Sequence, residues 1–137
     1  MKRPEDLARR FLTLADRDIR AFRKLSADPE IDDEIVGFHA QQAVEKCLKA
    51  VLAKHCVELR KTHDLQLLLD LLAQNNLLSP PLREGIDALG PFAVELRYDF
   101  METEPLHREQ ARAVVAAVRD WAEQQVSKES RSNHFSQ

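Results

Sequence analysis

Between residues 31 and 56 the apolar positions recur at helical spacing. On a wheel of about 100° per residue, Val36, Ala40, Ala43, Val44, Cys47, Ala50 and Val51 share one broad face. His39, Gln42, Lys46 and Lys49 line up on the other side, with Glu45 at the edge. A helix this apolar is expected at the centre of a bundle. Its polar stripe must then meet water, another chain or a ligand.

The same pattern predicts four more helices. The first runs from Pro4 to about Leu25. Pro4 suits a first-turn position, and Glu5 and Asp6 favour the positive end of the helix. Its predicted buried stripe is Leu7, Phe11, Leu14, Ala15, Phe22 and Leu25, and Asp28-Pro29 ends it. Cys56–Arg60 reads as a connection. A third helix begins at Thr62-His63-Asp64 with Thr62 as the expected cap, carries six leucines between Leu65 and Leu72, and stops at Asn75-Asn76. Ser79-Pro80-Pro81 opens a fourth that continues to about Phe100, with a bend at Gly90-Pro91. Thr103-Glu104-Pro105 opens a fifth that reaches about Val126, with Trp121 at the edge of its Ala111, Val115, Val118 and Ala122 stripe as a core or dimer-surface residue. The expected fold is all-α, an up-and-down bundle of about five helices over residues 1–126, and the polar stretch 127–137 is expected to be a disordered tail.

Composition supports the helical reading. The chain has 137 residues, 44% of them hydrophobic, with only 3 glycines to build tight turns. Its formal net charge of -3 gives no global basic field of the kind nucleic-acid binders carry. No apolar run follows the basic residues at the start, so no signal peptide is expected. No stretch approaches the roughly 20 apolar residues of a membrane span. Cys47 and Cys56 fall on opposite sides of one helix and are expected as free, mostly buried thiols in a reducing cytoplasm. No set of His and Cys has metal-ligand spacing, no Gly-rich phosphate loop is present, and no Ser or Cys nucleophile has an identifiable base.

Two charges interrupt apolar stripes. Asp18 falls between Leu14 and Phe22 on the first helix, and Arg97 falls in line with Ile86, Leu89, Ala93 and Phe100 on the fourth. A buried charge without a partner costs several kcal/mol, so each needs one. The economical expectation is that Asp18 and Arg97 face a shared interior, with Lys46 competing for Asp18. That pairing reads either as a register-fixing ion pair or as a polar pocket between the first, second and fourth helices.

Three segments carry a resemblance. They are Phe38-His39-Ala40-Gln41-Gln42-Ala43-Val44-Glu45-Lys46-Cys47-Leu48-Lys49-Ala50, Lys61-Thr62-His63-Asp64-Leu65, and Ala93-Val94-Glu95-Leu96-Arg97-Tyr98. In this order and spacing, over roughly residues 5 to 125, the chain resembles the HEPN family, named for higher eukaryotes and prokaryotes nucleotide-binding. The resemblance implies a helical bundle similar to the helical domain of kanamycin-type nucleotidyltransferases. It also implies a homodimer, and a two-protein system of toxin–antitoxin type with a minimal nucleotidyltransferase. Many members are ribonucleases whose motif is an Arg, four to six residues, then a His acting as acid or base. Here Arg97 is followed by Tyr98, and nine residues separate it from His107, so that motif is not intact.

The residues give three readings. In the first, Asp18, His39, Gln42, Lys46, Lys49, His63, Arg97 and Tyr98 form a site for a nucleotide or a protein partner, with no metal and no cofactor beyond a nucleotide ligand. In the second, Arg97 with His63 or His107 cleaves RNA across a dimer. In the third, the polar stripe is only an interface. Each candidate also has an ordinary reading: Lys46 and Lys49 as solvated cations, His63 and Asp64 as a cap, and Tyr98 as a half-buried ring. The outer face of the first helix, with Arg9, Arg10, Arg17, Arg20 and Lys24, reads as solvated or as a contact for nucleic acid or an acidic partner.

Overall fold

The structure is a computed structural model that describes residues 3–59, 61–93 and 105–129. Five helices are seen: α1 (Pro4–Ser26), α2 (Asp33–Lys54), α3 (Leu65–Gln74), α4 (Arg83–Leu89) and α5 (Arg108–Ser127). A 3₁₀ turn, Gly90–Phe92, follows α4, and no strand occurs among the described residues. The second half of the predicted fourth helix, the opening Thr103-Glu104 of the fifth, and residues 130–137 of the predicted tail lie outside the described residues.

Helix α2 is the central element, packing against α1, α3, α4 and α5. Val36, Ala40, Ala43, Val44, Cys47, Leu48, Ala50, Val51 and Leu52 are all sealed from solvent. Each large side chain buried in this way contributes roughly 1.5–3 kcal/mol. Gly37 lets the core close, because a Cβ there would stand 2.4 Å from the Phe92 ring.

The inward face of α1 differs from the predicted stripe. Ala8, Leu12, Ala15, Ile19, Phe22 and Ser26 are buried, whereas Leu7 is 36% exposed and Phe11, Leu14 and Leu25 are half-buried. The helix lies between α2 and α5, so its inner face turns toward that cleft. The line through Leu7 and Leu14 is left on the outer side.

The helix ends have local causes. α2 stops at Cys56, whose left-handed φ of 60° lets its own N–H reach Ala53 O and Val57 N–H reach Leu52 O. α3 stops the same way at Asn76, φ 57°, with Leu77 N–H donating to Leu72 O. The cap of α3 is Asp64 rather than Thr62: its carboxylate accepts from Gln66 N at 2.9 Å, while the Thr62 hydroxyl accepts from Asp64 N. α4 starts at Arg83, after Leu82 in the left-handed region, because Pro80 and Pro81 hold the preceding chain out of helix. Pro105 likewise precedes α5, which begins at Arg108 with exposed His107 as its cap residue.

Polar cross-links tie α1 and the α1–α2 turn to α5. Arg108 donates to Asp33 Oδ1 (3.0 Å), Ser26 O (3.2 Å), Asp28 O (2.9 Å) and Ile31 O, clasping the α1–α2 turn from α5. Arg119 meets both oxygens of Asp16, and Glu123 accepts from Arg9 at 2.7 Å, so Arg9 turns toward α5 instead of the outer face. Trp121 belongs to the core at 6% exposure, and among the described residues its indole N–H is buried without a partner. Cys47 is buried as expected, and burial pushes its thiol up to about 12, whereas Cys56 is exposed, contrary to the expectation for it.

Candidate functional site

The open side of α2 lies between α1 and α3 and carries Ile35, Phe38, His39, Lys46 and Lys49 as half-buried residues, with Gln42 beneath them. Two charge clusters are built along it. In the first, Asp18 from α1 receives Lys46 Nζ on Oδ2, and His39 Nδ1 lies 3.2 Å from Oδ1. His39 and Lys46 are seven residues apart, two turns on one face, so one carboxylate can bridge them. A carboxylate only accepts, which places the His39 ring proton on Nδ1. The edge of the neighbouring Phe38 ring meets His39 with centroids 5.4 Å apart.

The second cluster centres on Glu45, whose side chain is only 3% exposed. Its Oε2 accepts from Lys49 at 3.0 Å, an i,i+4 pair, and its Oε1 lies 3.0 Å from His63 Nδ1. Gln41, fully buried, donates to His63 O at 2.9 Å and to Glu45 Oε1 at 3.3 Å, and Gln42 donates to Gln41 Oε1 at 2.8 Å. The α2–α3 connection is thus held to α2 through both the main chain and the side chain of His63. The rest of the His63 ring is open, with 67% of the side chain exposed, and borders a cleft of about 500 Å³ that also touches Asp64, Gln66 and Asp87.

This arrangement changes how the candidates read. Asp18, His39 and Lys46 are brought together, and so are Gln42, Lys49 and His63 around Glu45. Among the described residues the partners of Asp18 are Lys46, the expected competitor, and His39; Arg97 and Tyr98 lie outside the described residues. Both lysines are already neutralised by carboxylates, so the stripe offers hydrogen bonds more than free positive charge. The start of α3 is not an open anion site, because Asp64 occupies the Gln66 and Leu67 N–H groups itself. Gln41 was not among the candidates: one glutamine beside another on an apolar helix gives no signal of its own, and its role depends on the carbonyl that the α2–α3 connection delivers.

A separate apolar cavity of about 370 Å³, lined by Leu89, Phe92, Leu106 and Ala111 among others, includes none of these charged groups. Among the described residues no three His, Cys, Asp or Glu side chains are grouped to hold a metal ion, and no helix is long and apolar enough to cross a membrane.

A family model, the HEPN domain, matches residues 8–125. Among solved structures, the crystal structure of an archaeal HEPN homologue is similar, with a TM-score of 0.58 and 20% sequence identity over 93% of this chain and 100% of that one. At that identity the likeness speaks for the fold alone. No curated protein matches the sequence.

Proposed function

The chain belongs to the HEPN domain family, and from that premise we propose that it is the partner-binding subunit of a two-protein system with a minimal nucleotidyltransferase. In this reading it works in the cytoplasm as a homodimer, in a pair of toxin–antitoxin type, and the open side of α2 is where subunits meet and where a nucleotide is presented to the partner.

The observation that carries the reading is the Asp18–His39–Lys46 cluster. It is partly desolvated, at 15% exposure for the Asp18 side chain and 23% for Lys46, and half-buried Ile35 and Phe38 lie on the same helix as His39 and Lys46. Apolar surface bordered by fixed charges suits recognition, the apolar part being buried and the charges choosing partner and register. Internal neutralisation of Lys46 and Lys49 makes protein contact the first use of this face, so that a nucleotide's phosphates are held jointly with the partner and not by the subunit alone.

The test is a search of the neighbouring reading frames for a minimal nucleotidyltransferase and co-purification with it, together with calorimetric titration of ATP and GTP into each preparation. The expected result is a stable complex that Lys46→Glu weakens at least about tenfold, with nucleotide heat larger for the complex than for the subunit alone. Equal binding by wild type and Lys46→Glu would remove the α2 face from the account.

One observation favours a second reading, a ribonuclease. A histidine gripped at Nδ1 by a buried carboxylate, with the rest of its ring open, is held as a general acid or base would be. RNA cleavage lost in His63→Ala and retained in His107→Ala would support it. Cleavage unaffected by His63→Ala would end it.

A further inference from the structure

The exposed side of α1 carries two parallel rows. Arg10, Arg17 and Lys24 recur every seventh residue and are all exposed. Leu7, Leu14 and Ala21 recur at the same interval, about 40–60° round the helix on the side toward α2, and Leu25 prolongs the line. Leu7 is 36% exposed and the other three are half-buried. Successive members of each row stand about 10 Å apart. Arg10, Arg17 and Lys24 make no ion pair with any described residue, unlike Arg9, which is spent on Glu123. The one acid beside the apolar line, Asp18, is taken by Lys46 and His39.

We propose that these two rows dock an amphipathic helix of another protein, its apolar stripe on Leu7–Leu14–Ala21–Leu25 and its flanking carboxylates on Arg10, Arg17 and Lys24. An apolar line of seven-residue period, bordered by charges of the same period, is what a partner helix recognises in a two-helix seam, and the flanking charges choose the partner. A second copy laid on this face about a two-fold axis would set the cationic row against itself if antiparallel, and against the Phe11–Asp18 flank if parallel, where the carboxylate is already taken by Lys46 and His39. A nucleic acid would use the cations and leave the apolar line bare. The proposal does not depend on the partner being a nucleotidyltransferase.

The experiment uses the full chain and two labelled synthetic helices of about 20 residues, with leucines on the contact face and either glutamates or lysines at the flanking positions. Fluorescence anisotropy reads the affinity of each for wild type and for the Arg10→Glu/Arg17→Glu/Lys24→Glu triple variant. These positions are exposed, so an unchanged circular-dichroism melt is expected to show that the variant folds. The expected result is at least about tenfold tighter binding of the glutamate helix to wild type, weakened by added salt, and the opposite order for the triple variant. Equal affinities for the two helices, or no binding of either, would overturn the proposal. So would oligouridylate binding that needs the three cations while the glutamate helix does not compete. Loss of self-association in the triple variant would assign the face to a second copy and would equally overturn it.

Discussion

Glu45 is the most committed side chain in the molecule. A carboxylate at 3% exposure is tolerable only because Lys49, His63 and Gln41 all donate to it. Removing it leaves the Lys49 ammonium, itself only 14% exposed, without its counter-charge. Glu45→Ala should therefore cost about 3 kcal/mol, a drop in melting temperature on the order of 10 °C. Glu45→Leu with Lys49→Met should recover much of the loss, since replacing both charges with apolar groups is often near neutral. A drop of under about 2 °C for the single variant would mean that water reaches the pair. A helical wheel places Glu45 at the rim of a polar stripe, and that much was legible. The wheel cannot show that the α2–α3 connection brings a histidine and its carbonyl to the same spot, and it is their arrival that turns a rim residue into a hub. Asp18 was legible as a charge in need of a partner, and Lys46 as a competitor for it. His39 as the second partner needed the crossing of α1 over α2.

At the scale of the helices, Gly37 sets propensity against packing. Alanine in a helix interior is favoured over glycine by about 1 kcal/mol. At Gly37, however, the new methyl would lie 2.4–2.9 Å from three atoms of the Phe92 ring, which has no flexible end to swing away. Overpacking of this kind costs about 1–3 kcal/mol, so Gly37→Ala should lower the melting temperature, and adding Phe92→Leu should restore part of it. A rise in the single variant would show that the 3₁₀ turn yields easily. The spans of α1, α2 and α3 were legible to within a few residues because apolar spacing and turn residues agree there. Which side of α1 points inward was not. Ala15 and Phe22 of the expected line are buried, yet packing between α2 and α5 adds Ala8, Leu12 and Ile19 in place of Leu7, Phe11 and Leu14. The start of α4 was also missed, since the Ser79-Pro80-Pro81 signal is followed by a left-handed Leu82 that no residue type announces.

For the whole molecule, the first and last helices are joined by charge. The Glu123 carboxyl is held at about 2, first by the Ser127 hydroxyl and then by Arg9, below its ordinary 4.5. A carboxyl lowered in the folded state adds stability above pH 4.5 and loses it as the pH falls toward 2. Glu123→Gln should therefore melt below wild type at pH 7 and draw level with it near pH 2.5. The side chain is 42% exposed, so solvent screening keeps the gap to about 1 kcal/mol or less. Parallel melting curves at every pH would show that the contact carries nothing. The all-helical fold and the HEPN membership were legible at this scale because three motif segments and the helical periodicity coincide. The links between Arg9 and Glu123 and between Asp16 and Arg119 were not, because they join residues more than 100 positions apart.

Arg108 sets how the turn between the first two helices behaves. Asp28 and its neighbours face outward, yet the Ser26, Asp28 and Ile31 carbonyls all point to a guanidinium on the last helix. A protease meeting this turn finds no slack to draw into its cleft until Arg108 lets go. Proteolysis at that turn is therefore expected to follow the release of α5, and Arg108→Ala should speed it.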